Sequence, residues 1–381
     1  VHRWRDRFSG SVKVGYLCPE LKSSSEMIIT GQKIATRRVE KSRLPGTDLS
    51  NIKFGRVFSD HMFVLDYVDG EWRSPRIEPF ADLEISPASL VLHYGQSIFE
   101  GLKAYRTAEG GISLFRPQMN LKRLNRSAER MCMPQLPEEI FMEALTELVR
   151  LDRDWMPEGE DSALYIRPFM IASDEYIGIK PSDTYKFMIF TCPVRGYYSE
   201  PVRVRIEMEF SRAFPGGTGY VKCAGNYAAA LYPTKLAQET GIHQQIWTDA
   251  MEHKYIEESG TMNVFFLIDG KLITPEAGVT VLEGITRDSI IQLARKEGVP
   301  LEIRKVSVAE VVEGARSGRL TEAFGAGTAA TIAHIQTLEV NNETFTLPPI
   351  AERKVSEHLG GLLDDIRRGR VKDELGWLVT V

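Results

Sequence analysis

GGTGYVKCAGNY, Gly216 to Tyr227, is the stretch on which the reading of this chain turns. It follows Pro215 and precedes the apolar run AAALYPTKLAQ, which has the look of a helix. Its one lysine, Lys222, stands among glycines, with Val221, Cys223 and Ala224 as neighbours. Surface lysines normally keep polar company, so this setting predicts a partly buried amine. Burial disfavours the ammonium form and makes an amine a usable nucleophile or base. The stretch alone also allows an ordinary turn lysine.

Size and composition narrow the classes. The chain has 381 residues, 43% of them hydrophobic and 26% charged, with a formal net charge of -5. These are the proportions of a soluble globular protein long enough for two domains. The acidic balance argues against nucleic acid as the main partner, and no apolar run suffices to span a bilayer. The four cysteines, Cys18, Cys132, Cys192 and Cys223, lie in separate segments without a CxxC pair. Neither a disulfide framework nor a zinc cluster is expected, and HExxH is absent, so no metal is assigned. The first residues, VHRWRDRFSG, are arginine-rich and SSS follows at Ser23–Ser25. That hints at a transit peptide, but Asp6, Glu20 and Glu26 are unlike one, and Met27 is a plausible start. The expected location is the cytoplasm, with organelle import left open.

Along the chain the pattern is mixed α/β. Residues 1–40 read as an extension, 41–194 as a smaller domain, 195–201 as a linker containing Gly196 and Pro201, and 202–381 as a larger domain. In the first domain Val57–Val68 reads as a strand region. Leu92–Arg106 reads as a short helix leading into a strand, with Ile98, Leu102 and Tyr105 as its apolar positions. Met119–Met131 has helical periodicity, which puts Arg123, Arg126 and Arg130 on a solvated basic face. Ser162–Ala172 and Thr184–Val194 read as long strands, the first interrupted by Arg167, either at a strand end or held by an anion. In the second domain GIT, Gly284–Thr286, opens an amphipathic helix, and EAFGAGTAATIAHI carries a turn of small residues at Gly325–Ala330.

Three parts then converge on Lys222. Backbone N–H groups at the GIT helix start form a natural phosphate site, and Thr328 in the small-residue turn adds a hydroxyl. Glu258, in YIEESGTMN, adjoins an apolar strand and needs a partner; a protonated ring nitrogen would be one. Amine, phosphate cradle and carboxylate are the parts of a pyridoxal-phosphate site. Spacing alone equally allows a sugar-phosphate site.

The segments FGRVFSDHM, LHYGQSIFEGLKAYR, LFRPQMNLKRLNRSA, LYIRPFM, GGTGYVKCAGNYAAAL, EESGTMNVFF, GITRDSII and FGAGTAA decide between them. Together, from Phe54 to about Ala333, they resemble the branched-chain amino acid aminotransferases of fold type IV. The resemblance implies that architecture, with the active site between the domains and pyridoxal 5'-phosphate as cofactor. It implies Lys222 as the Schiff-base lysine and proton shuttle, Glu258 on the pyridine nitrogen and Tyr227 on the phenolic oxygen. It assigns the phosphate to Arg123, the N–H groups of Ile285 and Thr286, and the Thr328 hydroxyl, with Thr261 beside Glu258 near the substrate. Tyr94, Phe99, Tyr165 and Tyr197 resemble the lining of an apolar pocket closed by Phe54. Arg167 resembles the group that meets the distal carboxylate of glutamate. The Thr328–Ala329 turn would face the substrate α-carboxylate, and Ile179 would be lent across a dimer interface. The implied reaction is ping-pong transfer of the amino group between leucine, isoleucine or valine and 2-oxoglutarate, by a homodimer with no nucleic-acid or membrane partner.

One departure stands out. Vertebrate members of that family carry a CxxC pair just after the Gly-Thr-Ala turn; here Ala330 and Ala333 occupy those positions, so thiol regulation of that kind is not expected. Cys223 is read as a small packing residue. The alternatives are D-amino acid aminotransferase and aminodeoxychorismate lyase, which share the lysine, glutamate and phosphate parts, and a non-catalytic binding module on the same fold.

Overall fold

The structure is a computed structural model that describes residues 33–50, 52–196 and 201–381. Cys18, Met27 and most of the N-terminal extension, as well as Tyr197, lie outside the described residues.

The first sheet takes its strands from the N-terminal half: Ala35–Thr36 (β1), His61–Val68 (β2), Glu71–Pro79 (β3), Ser97–Phe99 (β4), Leu102–Arg106 (β5), Ile112–Phe115 (β6), Ser162–Ala172 (β7) and Tyr185–Arg195 (β8). Their spatial order is β1-β3-β2-β8-β7-β5-β6, with β4 beside β7. Strand β1 falls in the stretch assigned to the extension, yet it pairs in parallel with β3. The helices that flank this sheet are Leu90–Tyr94 (α1), Pro117–Arg130 (α2) and Glu138–Leu151 (α3).

Alternation along the strands explains why β7 reads as an almost unbroken apolar run. Leu164 and Ile166 enter a core with Phe187, Ile189, Leu124, Phe141 and Leu145, under α2 and α3. Ala163 and Tyr165 point the other way, into a core shared with Cys192, Val194, Phe265, Phe324, Leu359 and Leu363 from the second half of the chain. Both faces are therefore buried, and each large apolar side chain removed from water is worth about 1.5–3 kcal/mol. Arg167 has the parity of Tyr165, so the charge that interrupts the run falls on the face turned to the second half of the chain.

The second sheet is built from Val202–Ile206 (β9), Gln244–Thr248 (β10), Tyr255–Ser259 (β11), Asn263–Ile268 (β12), Lys271–Thr274 (β13), Leu301–Ile303 (β14), Val306–Ser307 (β15), Leu320–Gly327 (β16), Thr331–Val340 (β17) and Glu343–Thr346 (β18). Its order is β14-β13-β12-β16-β17-β9-β10-β11-β15, with β18 on β17. Its helices are Gly225–Ala228 (α4), Leu231–Glu239 (α5), Ile285–Lys296 (α6), Val308–Arg316 (α7) and Lys354–Arg367 (α8). A last strand, Leu378–Thr380 (β19), returns to the first sheet and pairs antiparallel with β6. Among the described residues no helix is long and apolar enough to cross a membrane.

Two readings of the sequence need correction. The helix expected within Leu92–Arg106 ends at Tyr94, because Gly95 adopts φ 62° and stops it; Ile98 and Leu102 are then buried as strand residues. The basic face of α2 is not turned to solvent. Arg123 is buried, Arg126 pairs with Glu283 at 2.5 Å, and Arg130 donates to the Gly216 carbonyl. The helix lies against loops from the second half of the chain, where its arginines find partners.

Candidate active site

Lys222 is fixed by backbone pairing between its own segment and strand β4 of the first sheet. The Phe99 N–H donates to the Lys222 carbonyl at 3.1 Å, and the Ala224 N–H to the Ser97 carbonyl at 3.0 Å. Ile98 and Cys223 form an isolated bridge between them, and Cys223 is buried as a packing residue. Ser127 on α2 accepts from the Lys222 N–H. The lysine segment is thus bridged to the edge of β4, and its side chain is half-buried.

The Lys222 amine donates to the Tyr227 hydroxyl at 2.8 Å, as the half-turn of α4 brings the tyrosine back beside it. Phe99 is the shared wall. Its ring lies 4.9 Å from that of Tyr227, 4.8 Å from the Lys222 amine and 4.8 Å from the Arg167 guanidinium. Arg167 donates to the Tyr165 hydroxyl at 2.9 Å, and its buried Nε has no hydrogen-bond partner among the described residues. Phe54 meets Tyr165 edge-on at 5.0 Å. Gly101 makes room for Tyr165: a Cβ there would come within 2.1 Å of the tyrosine hydroxyl.

Glu258 is buried on β11, where its carboxylate pairs with Arg212 at 2.8 Å and accepts from the Leu282 N–H at 3.2 Å. Burial pushes this carboxyl above its ordinary range, against the opposing pull of Arg212, the Leu282 N–H, Lys222 and Arg123. Arg212 in turn donates to the carbonyls of Gly219 and Thr280, tying the lysine loop to the loop before α6. Next door, burial raises the Glu257 carboxyl to about 7.

The anion cradle is assembled from α2 and α6. Gly284 caps α6 and has no side chain to accept from the first-turn N–H groups, and Ile285 and Thr286 are buried there. A Cβ on Gly284 would come within 1.9 Å of the Asn263 amide oxygen, so glycine lets the helix start close against β12. Arg123 reaches the same turn, donating to the Glu283 carbonyl at 3.1 Å. Its Nε and second Nη donate to Glu100 at 2.7 and 2.8 Å, so each terminal nitrogen keeps one further N–H. Burial alone would raise the Glu100 carboxyl, but Arg123 and Lys222 hold it below its ordinary value. These residues fit pyridoxal phosphate: an amine beside a phenol, a carboxylate buried opposite, and an uncapped helix N-terminus flanked by arginine.

Thr328 and Ala329 lie in the β16–β17 turn, and Thr261 in the β11–β12 turn. The two turns touch: Thr261 is exposed, and its carbonyl is 3.8 Å from where a Cβ of Gly327 would lie. Tyr94 and Ile179 belong to another place. Tyr94 donates to the Ile177 carbonyl, and both residues stand with Leu92, Tyr176 and Ile177 on an exposed apolar rim, Ile179 at 89% exposure. Among the described residues no group of three or more His, Cys, Asp or Glu is placed to hold a metal. Sequence reading missed Arg212, Glu100 and Ser127. Glu100 stood within a quoted segment and Arg212 just ahead of the glycine-rich loop, but only contact identifies their partners.

A family model for class IV aminotransferases matches residues 97–338. The chain belongs to the class IV aminotransferase family. It is 47% identical over 339 residues to branched-chain-amino-acid transaminase 1 of Bacillus subtilis (strain 168), covering 88% of this chain and 95% of that one. Two solved structures are similar in fold. The branched-chain aminotransferase of Thermoproteus uzoniensis with norvaline has a TM-score of 0.68 at 26% identity, covering 84% of this chain and 99% of that chain. The T.th. branched-chain amino acid aminotransferase complexed with N-(5'-phosphopyridoxyl)-L-glutamate has a TM-score of 0.66 at 26% identity, covering 83% and 97%.

Proposed function

We propose that this protein uses pyridoxal 5'-phosphate to move the amino group between L-leucine, L-isoleucine or L-valine and 2-oxoglutarate. The observation that carries the reading is Arg167. Its guanidinium lies over Phe99 and beside Tyr165, and its buried Nε has no hydrogen-bond partner among the described residues. An aliphatic side chain fits against the rings of Phe54, Phe99 and Tyr165, and a longer acid reaches the arginine. Discrimination among the aliphatic substrates is then small, since a methylene is worth about 1–3 kcal/mol.

Bound pyridoxal phosphate supplies an electron-withdrawing ring that stabilises negative charge developing at the substrate Cα. Lys222 would hold it covalently, with Glu258 facing the ring nitrogen and Tyr227 the phenolic oxygen. Arg123, the N–H groups of Ile285 and Thr286, and Thr328 would take the phosphate. The Lys222 amine, once released by substrate, takes the proton from Cα and returns it on the other side of the transfer. Tyr227 keeps that amine in place through its hydroxyl. The Thr328–Ala329 turn receives the α-carboxylate, with Thr261 alongside. A homodimer is part of the reading: the exposed apolar rim with Tyr94 and Ile179 is a surface that a second copy would cover.

The test is a substrate panel on protein loaded with the cofactor. Leucine, isoleucine and valine with 2-oxoglutarate should all turn over, and D-alanine should not. Preference for D-alanine would overturn the substrate reading. Lys222→Ala should lose both activity and the absorbance of lysine-linked cofactor.

A further inference from the structure

The turn between β16 and β17 is held from outside by two cations. Lys103, on β5, donates from its amine to the Ala329 carbonyl at 2.7 Å, across the interdomain contact. Arg367, on α8, donates to the Thr331 hydroxyl at 2.7 Å. The turn needs holding. Thr331 has φ 62°, a left-handed conformation that a β-branched residue adopts only under strain. Nothing within Gly327–Thr331 offers a large side chain to brace it.

Lys103 is also placed inside the substrate pocket's framework. It pairs across β5 and β7 with Tyr165, which pairs across β7 and β8 with Cys192, so the three lie in one row on the interdomain face. Arg367 is stacked over Phe115 at 4.6 Å and Tyr105 at 5.6 Å, and Arg368 over Tyr105 at 5.5 Å. The amine therefore stands in a positive neighbourhood, in which Arg368 is itself bound by Asp364 at 3.0 Å.

We propose that Lys103 is a positioning residue for substrate: its amine ties the Gly327–Thr331 turn to the first sheet and so sets the affinity for the substrate α-carboxylate. This rests on the reading of the Thr328–Ala329 turn as the carboxylate site. Two effects act together. The hydrogen bond to the Ala329 carbonyl fixes the peptide planes of the turn, and with them the direction of its N–H groups. The ammonium charge adds attraction for an anion on the near side of the turn.

The charge is conditional. Burial and the neighbouring Arg367 and Arg368 push the Lys103 amine down to about 7, with Asp364 and the Cys192 thiol pulling weakly the other way. Among the described residues, Tyr105 on its own strand and Tyr165 and Arg167 on β7 share its face of the sheet, and none of the three brings a carboxylate. Carboxylate affinity should therefore be full below about pH 7 and fall as the amine loses its proton above it.

The probe is 4-methylpentanoate, which has leucine's carbon skeleton and carboxylate but no amino group to titrate. Its dissociation constant is measured by calorimetry on cofactor-loaded protein at about pH 6 and about pH 9. The wild type should bind severalfold more weakly at the higher pH. Lys103→Met should bind about tenfold more weakly than wild type at the lower pH and show no further fall. Lys103→Arg, which keeps its charge throughout, should retain affinity and flatten the profile. Cofactor uptake should be the same in all three. Equal affinity in wild type and Lys103→Met would sink the proposal alone. No binding of the probe to wild type would sink it together with the reading of the turn. A matching loss of cofactor uptake in Lys103→Met would overturn it in favour of general collapse of the site.

Discussion

The Glu258–Arg212 pair carries more consequence than either residue shows by itself. A carboxylate buried at the end of a site is tolerable because a guanidinium and a backbone N–H meet it. Arg212→Met would strand that charge. Stability should fall by about 3–5 kcal/mol in denaturant melts of the cofactor-free protein. Glu258→Gln keeps the shape and an acceptor but removes the charge that would face the cofactor ring. Its kcat should fall by at least about 10²-fold while cofactor is still taken up, measured by steady-state kinetics and absorbance. The half-buried setting of Lys222 was legible in the sequence because glycine and small apolar residues surround it in the chain itself, whereas its assignment as the cofactor lysine rested on the family resemblance. The role of Arg212 was not legible, because its partners, Glu258 and the Thr280 carbonyl, come from other segments and are joined only by folding.

At the level of elements, turns and edges hold the strain and the charge. Thr331 closes the β16–β17 turn at φ 62°. Asparagine tolerates this conformation and can still accept from Arg367, so Thr331→Asn should stabilise the protein by roughly 1 kcal/mol, seen as a higher Tm. On the first sheet, Asp66 of β2 binds Lys186 of β8 and Arg76 of β3, pinning three strands in register. Burial would raise the Asp66 carboxyl, but Lys186 and Arg76 hold it below its ordinary 3.8. The stabilisation is therefore present above about pH 4 and lost as pH falls through the depressed value. Asp66→Asn should cost roughly 1–3 kcal/mol at neutral pH, and the gap to wild type should close in acid, as thermal melts from about pH 7 to about pH 3 would record. The long strands were readable from their apolar runs. Leu92–Arg106 was not, because Ile98, Leu102 and Tyr105 have a spacing that also suits a helix, and only Gly95 decides where the helix ends.

Across the whole molecule the two sheets share one core. Tyr105, Tyr165 and Val194 from the first sheet are packed with Phe265, Phe324 and Leu363 from the second half. Polar ties reinforce it: Ser113 to the Arg367 carbonyl at 2.6 Å and Arg116 to Ser289 at 2.7 Å. Calorimetry of the cofactor-free protein should therefore show one cooperative unfolding transition, and two resolved peaks would contradict this packing. The sequence suggested two domains joined by a linker at 195–201. It could not show how closely they would merge, since a strand buried on both faces reads the same whether its second face meets a helix or another domain.

The return of Leu378–Thr380 to β6 has a consequence for how the protein is made. Strand β6 is wholly buried, and among the described residues one of its edges pairs with this late segment alone. During synthesis at roughly 5–20 residues per second, that edge waits unpaired while the entire second sheet is produced. The nascent chain thus presents an unpaired row of backbone N–H and C=O groups for many seconds before its own last strand arrives.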